Sequence, residues 1–499
     1  MAIGQANIKK HVSSYSCRKK IPAKGDDLYE VIAVFFSYLI LIRRDFRMDF
    51  DNVKKTAAGY ALEKAIKYIT RDPENNLMAL INIAEKAAVV PDHKIAISKL
   101  KIHFQNSPHI MEQTKRVAGN PKMLYTFFNS WVINATLSGR PIREKQAAKM
   151  GVAIPMAILI DPTAACNLRC DGCWAGEYHK GDQLEPELFN RIINEAKELG
   201  IHWFVLSGGE PFCYPHLYDV IAEHPDSAFM AYTNGTLIDE KSADRLAHLA
   251  NLSPAFSLEG RREHTDGRRG PGTYEKAIRA MDLLRERGVF FGASVTAMRD
   301  NIEEIFSYDY IDFLVEKGAT YMWSFHYIPI GRNPDLDFML TPEQRLWLID
   351  RVGELRRSRP IFIADFWNDG DYTKGCIAGG KQYFHINASG DVEPCAFVHF
   401  AVDNIRDKSL QEVLQNPFFR AYQRNQPFNE NHLAPCPIID APAALRTMVK
   451  ECGAYPTHVG AEQVLEGDVA RRLDEVSSKW LELADDHLAS KQQRAMGHR

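Results

Sequence analysis

Cysteine is scarce in this chain, nine in 499 residues, too few for a disulfide-stapled scaffold. Long apolar runs are lacking as well. The longest, Val31 to Ile42, is 12 residues interrupted by Ser37, too short to span a bilayer. No signal peptide is legible: Met1 to Lys20 holds five Lys/Arg and no acid, but no apolar stretch follows at once. Neither glycine (31) nor proline (25) is in excess, which excludes collagen-like and low-complexity chains. What is there is ordinary globular composition, 45% apolar and 25% charged. At roughly 150 residues per domain it predicts two to four domains with ample core. The expectation is a cytoplasmic chain whose cysteines are reduced or metal-bound.

Net charge is nearly absent too, at −3, but the total hides a split. Residues 1–150 carry 25 Lys/Arg and 13 Asp/Glu, a balance of +12, and the rest carries −15. A basic segment on an acidic body points to an anionic surface, partner or substrate, or to docking of one part on the other. Val31–Ile42, followed by Arg43 and Arg44, reads either as a helix buried in a bundle or as an interfacial helix on the inner face of an anionic membrane. Nucleic acid is not expected, because no recognisable binding fold accompanies the positive charge.

Residues 1–150 read as helical, with apolar positions at helical spacing over Val53–Thr70, Leu77–Val90 and Met123–Leu137. Arg71-Asp-Pro-Glu and Val90-Pro-Asp punctuate them, and Gly139-Arg-Pro is expected to break the chain. From about 156 strands alternate with amphipathic helices. The strand candidates are Met156–Ile160, Trp203–Leu206, Phe229–Tyr232, Ala255–Leu258, Phe290–Val295 and Tyr321–Ile328. Six such units predict a parallel α/β sheet, open or closed into a barrel. In a barrel the chemistry sits at the strand C-terminal ends. From about 336 the order loosens into a helix over Thr341–Arg357, a strand over Ile361–Phe366 and a Gly- and Cys-containing stretch. A charge-rich helix over Glu462–Gln493 follows.

Three cysteines follow the first strand in Cys166-Asn-Leu-Arg-Cys170-Asp-Gly-Cys173. By chance this spacing arises in roughly 0.3% of chains with so little cysteine. A tight loop turns three thiolates toward one centre. Three thiolates hold a [4Fe–4S] cluster with one iron open, whereas zinc wants a fourth ligand, for which His179 is a candidate. Further motifs close later strands: Ser207-Gly208-Gly209-Glu210, Thr233-Asn234-Gly235, Ser257-Leu-Glu259-Gly260 with Arg269-Gly270, and Tyr327-Ile-Pro329-Ile-Gly331.

In this order the motifs resemble those of the radical S-adenosylmethionine (SAM) enzymes over roughly 156–335. The resemblance implies a partial (β/α)6 barrel with an N-terminal all-helical extension and a small C-terminal Fe–S domain. It implies that Cys166, Cys170 and Cys173 bind the cluster that chelates SAM. Gly208, Gly209 and Glu210 then stand where the family holds the methionyl amino group, glycines letting the backbone approach closely. Ser257 and Glu259 fall in the stretch that neighbours the ribose and methionyl part, Asn234 at the end of the third strand and Arg269 in the Arg-Gly that follows are further cofactor-binding candidates, and Pro329 stands where adenine is held. Two departures stand out: Gly172 replaces the aromatic residue usual before the third cysteine, and Glu259 stands where Asp is commoner. The implied chemistry is reductive cleavage of SAM to a 5′-deoxyadenosyl radical that abstracts hydrogen from an unactivated C–H bond. A reductant such as flavodoxin or ferredoxin is implied as partner.

Cys376, Gly390 and Cys395 have the spacing Cys-x13-Gly-x4-Cys. It resembles the auxiliary-cluster motif of the SPASM and twitch subfamilies, where glycine turns a hairpin so that two cysteines meet. Cys436 and Cys452 are the further candidate ligands, and Cys17 and Cys213 read as structural. His326 and Tyr327, at the mouth end of the last barrel strand, read either as substrate-facing or as packed. The domains expected are 1–150 helical, 151–335 radical SAM core, 336–460 auxiliary-cluster domain and 461–499 terminal helix.

Three functional readings follow. One is an enzyme acting on a lipid acyl chain, for which a basic, partly apolar N-terminal segment gives a membrane-proximal route. Another is a peptide- or protein-modifying maturase, the commonest use of a SPASM-type cluster. The third is a non-catalytic Fe–S scaffold, which leaves the Gly-Gly-Glu, Thr-Asn-Gly and Ser-Leu-Glu-Gly stretches unexplained.

Overall fold

The computed structural model describes residues 64–87, isolated helical positions between 98 and 118, and residues 119–497. Val31–Ile42, Arg43, Arg44 and Cys17 lie outside the described residues. The chain forms two compact units, Met1–Tyr125 and Thr126–Arg499, so residues 126–150 belong to the same unit as the barrel.

In the first unit, helical residues 64–71 stop at Asp72 and α1 (Pro73–Ala87) begins. Pro73 needs no N–H donor in a first turn, and the Asp72 carboxylate accepts from the Asn75 N–H at 3.3 Å, as a helix cap does. Ile66, Ile69, Leu77 and Ile81 are buried, the spacing expected of a core-facing stripe.

In the second unit the expected break at Gly139-Arg-Pro does not occur. A π-helical stretch, Phe127–Ser138, runs on into α2 (Gly139–Met150). Pro141 is the third residue of α2, directly past the change from π- to α-helix. Gly139 is packed so closely that a Cβ would stand 2.5 Å from the Gly200 carbonyl oxygen. This helix covers the N-terminal end of the sheet. Asn134 donates to the Asp226 carbonyl at 2.8 Å, Arg143 to that of Gly200 at 2.7 Å, and Trp131 packs on Trp203 at 5.1 Å.

All six expected strands form: β1 (Ala157–Ile160), β2 (Trp203–Leu206), β3 (Ala228–Thr233), β4 (Leu252–Ser257), β5 (Gly292–Ala297) and β6 (Tyr321–His326). They pair in parallel in chain order, with Ile158 beside Phe204 and Phe204 beside Phe229. β7 (Phe362–Asp365) extends one edge beyond β6. β8 (His385–Ile386) pairs in parallel with β1 and in antiparallel with β9 (Val392–Glu393) at the other edge. The nine-stranded sheet is therefore an open, partial barrel with different edges, β7 and β9. Both faces are covered, so strand residues such as Ile158, Ile160, Phe229 and Val295 are buried irrespective of alternation.

Amphipathic crossovers include α3 (Pro186–Glu198), α4 (Glu240–Leu249), α5 (Arg262–Arg269) and α6 (Thr273–Glu286). Beyond the barrel, α7 (Pro342–Ser358) starts at a reciprocal cap between Thr341 and Gln344. The terminal helix α8 (Gly467–Gly497) is charge-rich as expected, yet it docks. Trp480 is fully buried and donates to the Leu433 carbonyl at 3.1 Å, and Ser477 donates to that of Asp440 at 2.7 Å. No described helix is long and apolar enough to cross a membrane.

Candidate functional site

The loop after β1 carries Cys166, Cys170 and Cys173, and contacts from the next strand ends fix its path. A Cβ on Gly209 would stand 2.0 Å from the Ala165 carbonyl oxygen, and one on Gly208 2.6 Å from that of Thr163. Glycine at both positions is thus demanded by the cysteine loop itself, a closer constraint than approach to a ligand. Glu210 is buried, and its carboxylate accepts from Thr233 Oγ1 and the Asn234 N–H, both at 2.7 Å, and from the Phe212 N–H at 3.1 Å. Burial pushes this carboxyl up to about 7, against those hydrogen bonds. Its visible work is to tie the end of β2 to the end of β3.

Asn234 in turn donates to Asn167 Oδ1 at 2.9 Å, and Asn167 donates to Thr236 Oγ1 at 2.7 Å. The Thr-Asn-Gly stretch therefore clamps the residue beside Cys166. Glu259 at the end of β4 is completely buried, not a solvent-facing acid. One carboxylate oxygen takes Arg268 Nη1 at 2.7 Å and Arg269 Nε at 2.9 Å, with Arg269 Nη2 closing the fork. Burial favours its protonation, but the two guanidiniums win and hold the carboxyl below its ordinary value. Arg269 Nη1 reaches Cys170 Sγ at 3.9 Å. Arg268 donates to the carbonyls of Asp171 and Gly172 at 3.1 and 3.2 Å, so it latches the turn between the second and third cysteines.

The departure at Gly172 has a steric reason. Its φ is +59°, and a Cβ there would stand 2.7 Å from the Tyr327 ring. Tyr327 fills the space that an aromatic residue at 172 would take, and its hydroxyl accepts from the Asp335 N–H at 3.1 Å. Pro329 does not join this group; it packs in a small recess with His399, His458 and Val464. His179 does not turn to the cysteines either. Its side chain is exposed and pairs with Asp182 at 2.9 Å.

Cys376, Cys395 and Cys436 form the second group, all half-buried among the residues packed round them. Burial pushes the Cys376 thiol up to about 11 and Cys395 up to about 12, and raises Cys436 further, each also feeling a neighbouring cysteine or carboxylate. Tyr383, likewise enclosed, has its hydroxyl 2.8 Å from Cys395 Sγ. Cys452 does not join. Its half-buried thiol instead donates to the Pro417 carbonyl at 3.5 Å, at the end of the helix Pro442–Cys452. Three, not four, cysteines therefore stand together.

One cavity of about 430 Å³ is lined by both groups: Cys166, Cys170 and Cys173, and Cys376, Cys395 and Cys436. Ser257 and Asn234 line it, as do Trp203, Met230, Trp323, Phe325, Phe366 and Phe397. The buried thiols fit iron–sulfur clusters. A thiolate is costly in these surroundings until a cationic metal compensates it, as for Cys166, which burial raises to about 12. No three His, Cys, Asp or Glu among the described residues stand where they could hold one metal ion. A cluster instead spreads its thiolates over separate irons.

Several residues were not singled out in the sequence. Arg268 was visible as the first of two arginines in Gly267-Arg-Arg-Gly270, but nothing local said that both meet Glu259. His385 is buried between Asp161 at 3.0 Å and Glu393 at 2.6 Å. Burial opposes its charge, yet the two carboxylates raise it to about 10. Tyr178 and Thr457 also donate to Glu393. These partners are distant in sequence, so no spacing betrays them. Trp174, beside Cys173, packs against His385 and Phe397 at 5.7 and 6.0 Å.

Residues 160–307 match the model of the radical SAM superfamily, and residues 376–437 that of an iron–sulfur cluster-binding domain, SPASM. Among curated relatives, an AdoMet-dependent heme synthase of Methanosarcina barkeri is 25% identical over 52% of this chain and 82% of its own. Mycofactocin maturase MftC of Mycolicibacterium smegmatis is 28% identical over 58% and 78%. A PqqA peptide cyclase of Gluconobacter oxydans is 24% identical over 54% and 79%. Among solved structures, Streptococcus suis SuiB bound to S-adenosylmethionine aligns at TM-score 0.48 and 16% identity, over 73% of this chain and 83% of its own. The chain is a radical SAM enzyme with a SPASM domain, and its cofactors are a SAM-binding [4Fe–4S] cluster, SAM and an auxiliary iron–sulfur cluster. The non-catalytic scaffold is thereby set aside.

Proposed function

We propose that this radical SAM enzyme is an oxidoreductase that abstracts hydrogen from a largely apolar substrate, a lipid acyl chain, in C–C bond formation or chain modification. One observation carries the reading. The cavity shared by the two cysteine groups is walled by aromatic and aliphatic side chains, and each carboxylate or guanidinium on its wall is already engaged within the protein. Arg268 and Arg269 hold Glu259, Asp369 is paired with Arg356 at 2.7 Å, and Glu210 is bound to Thr233 and Asn234. Such a wall gives an apolar chain burial at ~25 cal/mol per Å², and gives a charged substrate no unpaired ion to meet.

In this reading Cys166, Cys170 and Cys173 hold the SAM-binding cluster, and Cys376, Cys395 and Cys436 the auxiliary one. When bound, the reduced cluster and SAM supply a 5′-deoxyadenosyl radical able to attack an unactivated C–H bond. The backbone at Gly208 and Gly209, with Ser257, Asn234 and Arg269, positions SAM. Glu210 and Glu259 hold those groups in place. The aromatic wall excludes water from the reacting carbon. A flavodoxin- or ferredoxin-type reductant is the proposed electron source. The proposed location is the cytoplasm, at the anionic inner face of the membrane through the basic N-terminal segment.

A second reading, modification of a peptide or a step in heme synthesis, is favoured by the names of the curated relatives. The test is turnover of SAM by the anaerobic holoenzyme with phospholipid vesicles, with peptide pools and with porphyrins in parallel. The lipid reading expects 5′-deoxyadenosine to rise above the no-substrate rate with vesicles only. A rise with peptides or porphyrins alone refutes it.

A further inference from the structure

The cavity is not apolar throughout. His326, the last residue of β6, lines it and is 2% exposed, yet neither ring nitrogen makes a hydrogen bond among the described residues. Its ring lies flat on that of Trp367, 5.0 Å between centroids and 9° between planes. Trp367 lines the cavity too, is 3% exposed, and its indole N–H also lacks a hydrogen bond. Asp365, the last residue of β7, is fully buried. One carboxylate oxygen takes Asn368 Nδ2 at 2.7 Å, and the other stands 3.9 Å from His326 Nε2 without a hydrogen bond.

Four polar atoms on three adjacent buried side chains, each lacking a partner, are costly unless something satisfies them. The spacing says what could. A gap of 3.9 Å is too long for a direct hydrogen bond, but one oxygen or nitrogen can bridge it with two bent legs of ~2.8 Å. Burial, with the nearby Arg345 charge, keeps His326 neutral, so its ring donates at one nitrogen and accepts at the other. Trp367 only donates. Asp365 places a carboxylate beside the gap and so opposes an anion.

We propose that His326 and Trp367, with the buried Asp365 beside His326 but not itself on the cavity wall, form a subsite for an uncharged group that both donates and accepts hydrogen bonds, a hydroxyl or an amide, carried on the otherwise apolar substrate. This deepens the apolar-substrate reading and rests on it. The subsite fixes the depth of an otherwise featureless chain, and hence which carbon faces the SAM site; His326 and Trp367 are positioning residues.

The test is equilibrium binding of dodecane, 1-dodecanol, dodecanamide and dodecanoate to anaerobic holoenzyme, followed by tryptophan fluorescence. The wild type is expected to bind the alcohol and the amide at least fivefold more tightly than the alkane, and dodecanoate more weakly than the alcohol. His326→Phe, which keeps the stacked ring, should abolish the preference, and His326→Gln should restore part of it. Trp367→Phe removes the indole N–H while keeping a smaller aromatic ring against His326 and is the check should the histidine variants fail to fold; it should reduce the preference. Equal binding of alkane and alcohol, a preference that survives both His326→Phe and Trp367→Phe, or dodecanoate as the tightest ligand would overturn the subsite and leave the apolar reading standing. Failure of all four probes to bind overturns both.

Discussion

Replacing Glu259 by glutamine is the sharpest single perturbation of the SAM end of the cavity. The carboxylate is fully buried, and the side chains of Arg268 and Arg269 are only 10% and 14% exposed. One oxygen takes both guanidiniums. Glutamine keeps the shape and an acceptor but removes the charge, leaving two nearly buried cations uncompensated. Breaking a buried ion pair from one side costs ~3–5 kcal/mol. The damage should be local first, because Arg268 latches Asp171 and Gly172 and Arg269 reaches Cys170. SAM binding by the reconstituted variant, measured by equilibrium dialysis, should weaken by at least tenfold, about 1.4 kcal/mol, and its thermal midpoint should fall. Glu259→Gln combined with Arg269→Gln should recover part of the lost stability, since less unbalanced charge remains. Unchanged SAM affinity together with a stability loss under ~1 kcal/mol would refute the argument that this carboxylate anchors the loop.

Gly209→Ala should lose iron from the first cluster, because its Cβ would meet the Ala165 carbonyl oxygen at 2.0 Å; iron and sulfide content per chain checks it. Cys436→Ser should abolish the auxiliary cluster while Cys452→Ser leaves it, read by electron paramagnetic resonance. Tyr383→Phe removes the hydroxyl 2.8 Å from Cys395 Sγ. If the hydrogen bond contributes ~1 kcal/mol to the reduced state, the auxiliary potential should drop by roughly 40 mV in a redox titration. His385 is held charged up to about 10 by Asp161 and Glu393. A raised folded pKa gives stability that is full below the unfolded value near ~6.5 and lost as pH rises toward 10. His385→Gln should therefore flatten the decline in thermal midpoint over that window.

The barrel was readable because each strand is a short apolar run at a βα period and each motif falls at a strand end. Cys166, Cys170 and Cys173 stood out because thiols at tight spacing have few other uses, whereas Cys376, Cys395 and Cys436 stood out only through the resemblance to the auxiliary-cluster motif. What escaped depends on packing between distant segments. The helix through Gly139 survives its Gly and Pro because it lies against the sheet end, and β7, β8 and β9 join a sheet whose edges the sequence does not mark. Cys452 carries the same chemistry, but its thiol is turned to the Pro417 carbonyl. Glu259 stood out as a site residue by resemblance, but its two partners, Arg268 and Arg269, meet it only because the helix that follows folds back onto it. His326 and Asp365 lie at the ends of neighbouring strands, 39 residues apart in sequence, and only the sheet pairing brings them together.

An aromatic cavity that presents an apolar C–H bond to the SAM site must pass that hydrogen to the 5′-deoxyadenosyl radical. The most direct test is isotope transfer: the anaerobic, reduced holoenzyme is given SAM and vesicles of phospholipid with perdeuterated acyl chains, and the 5′-deoxyadenosine formed is weighed by mass spectrometry. A one-dalton increase that depends on the deuterated chains is expected. Undeuterated 5′-deoxyadenosine with the labelled lipid, alongside deuterium transfer from a labelled peptide or porphyrin, would contradict it.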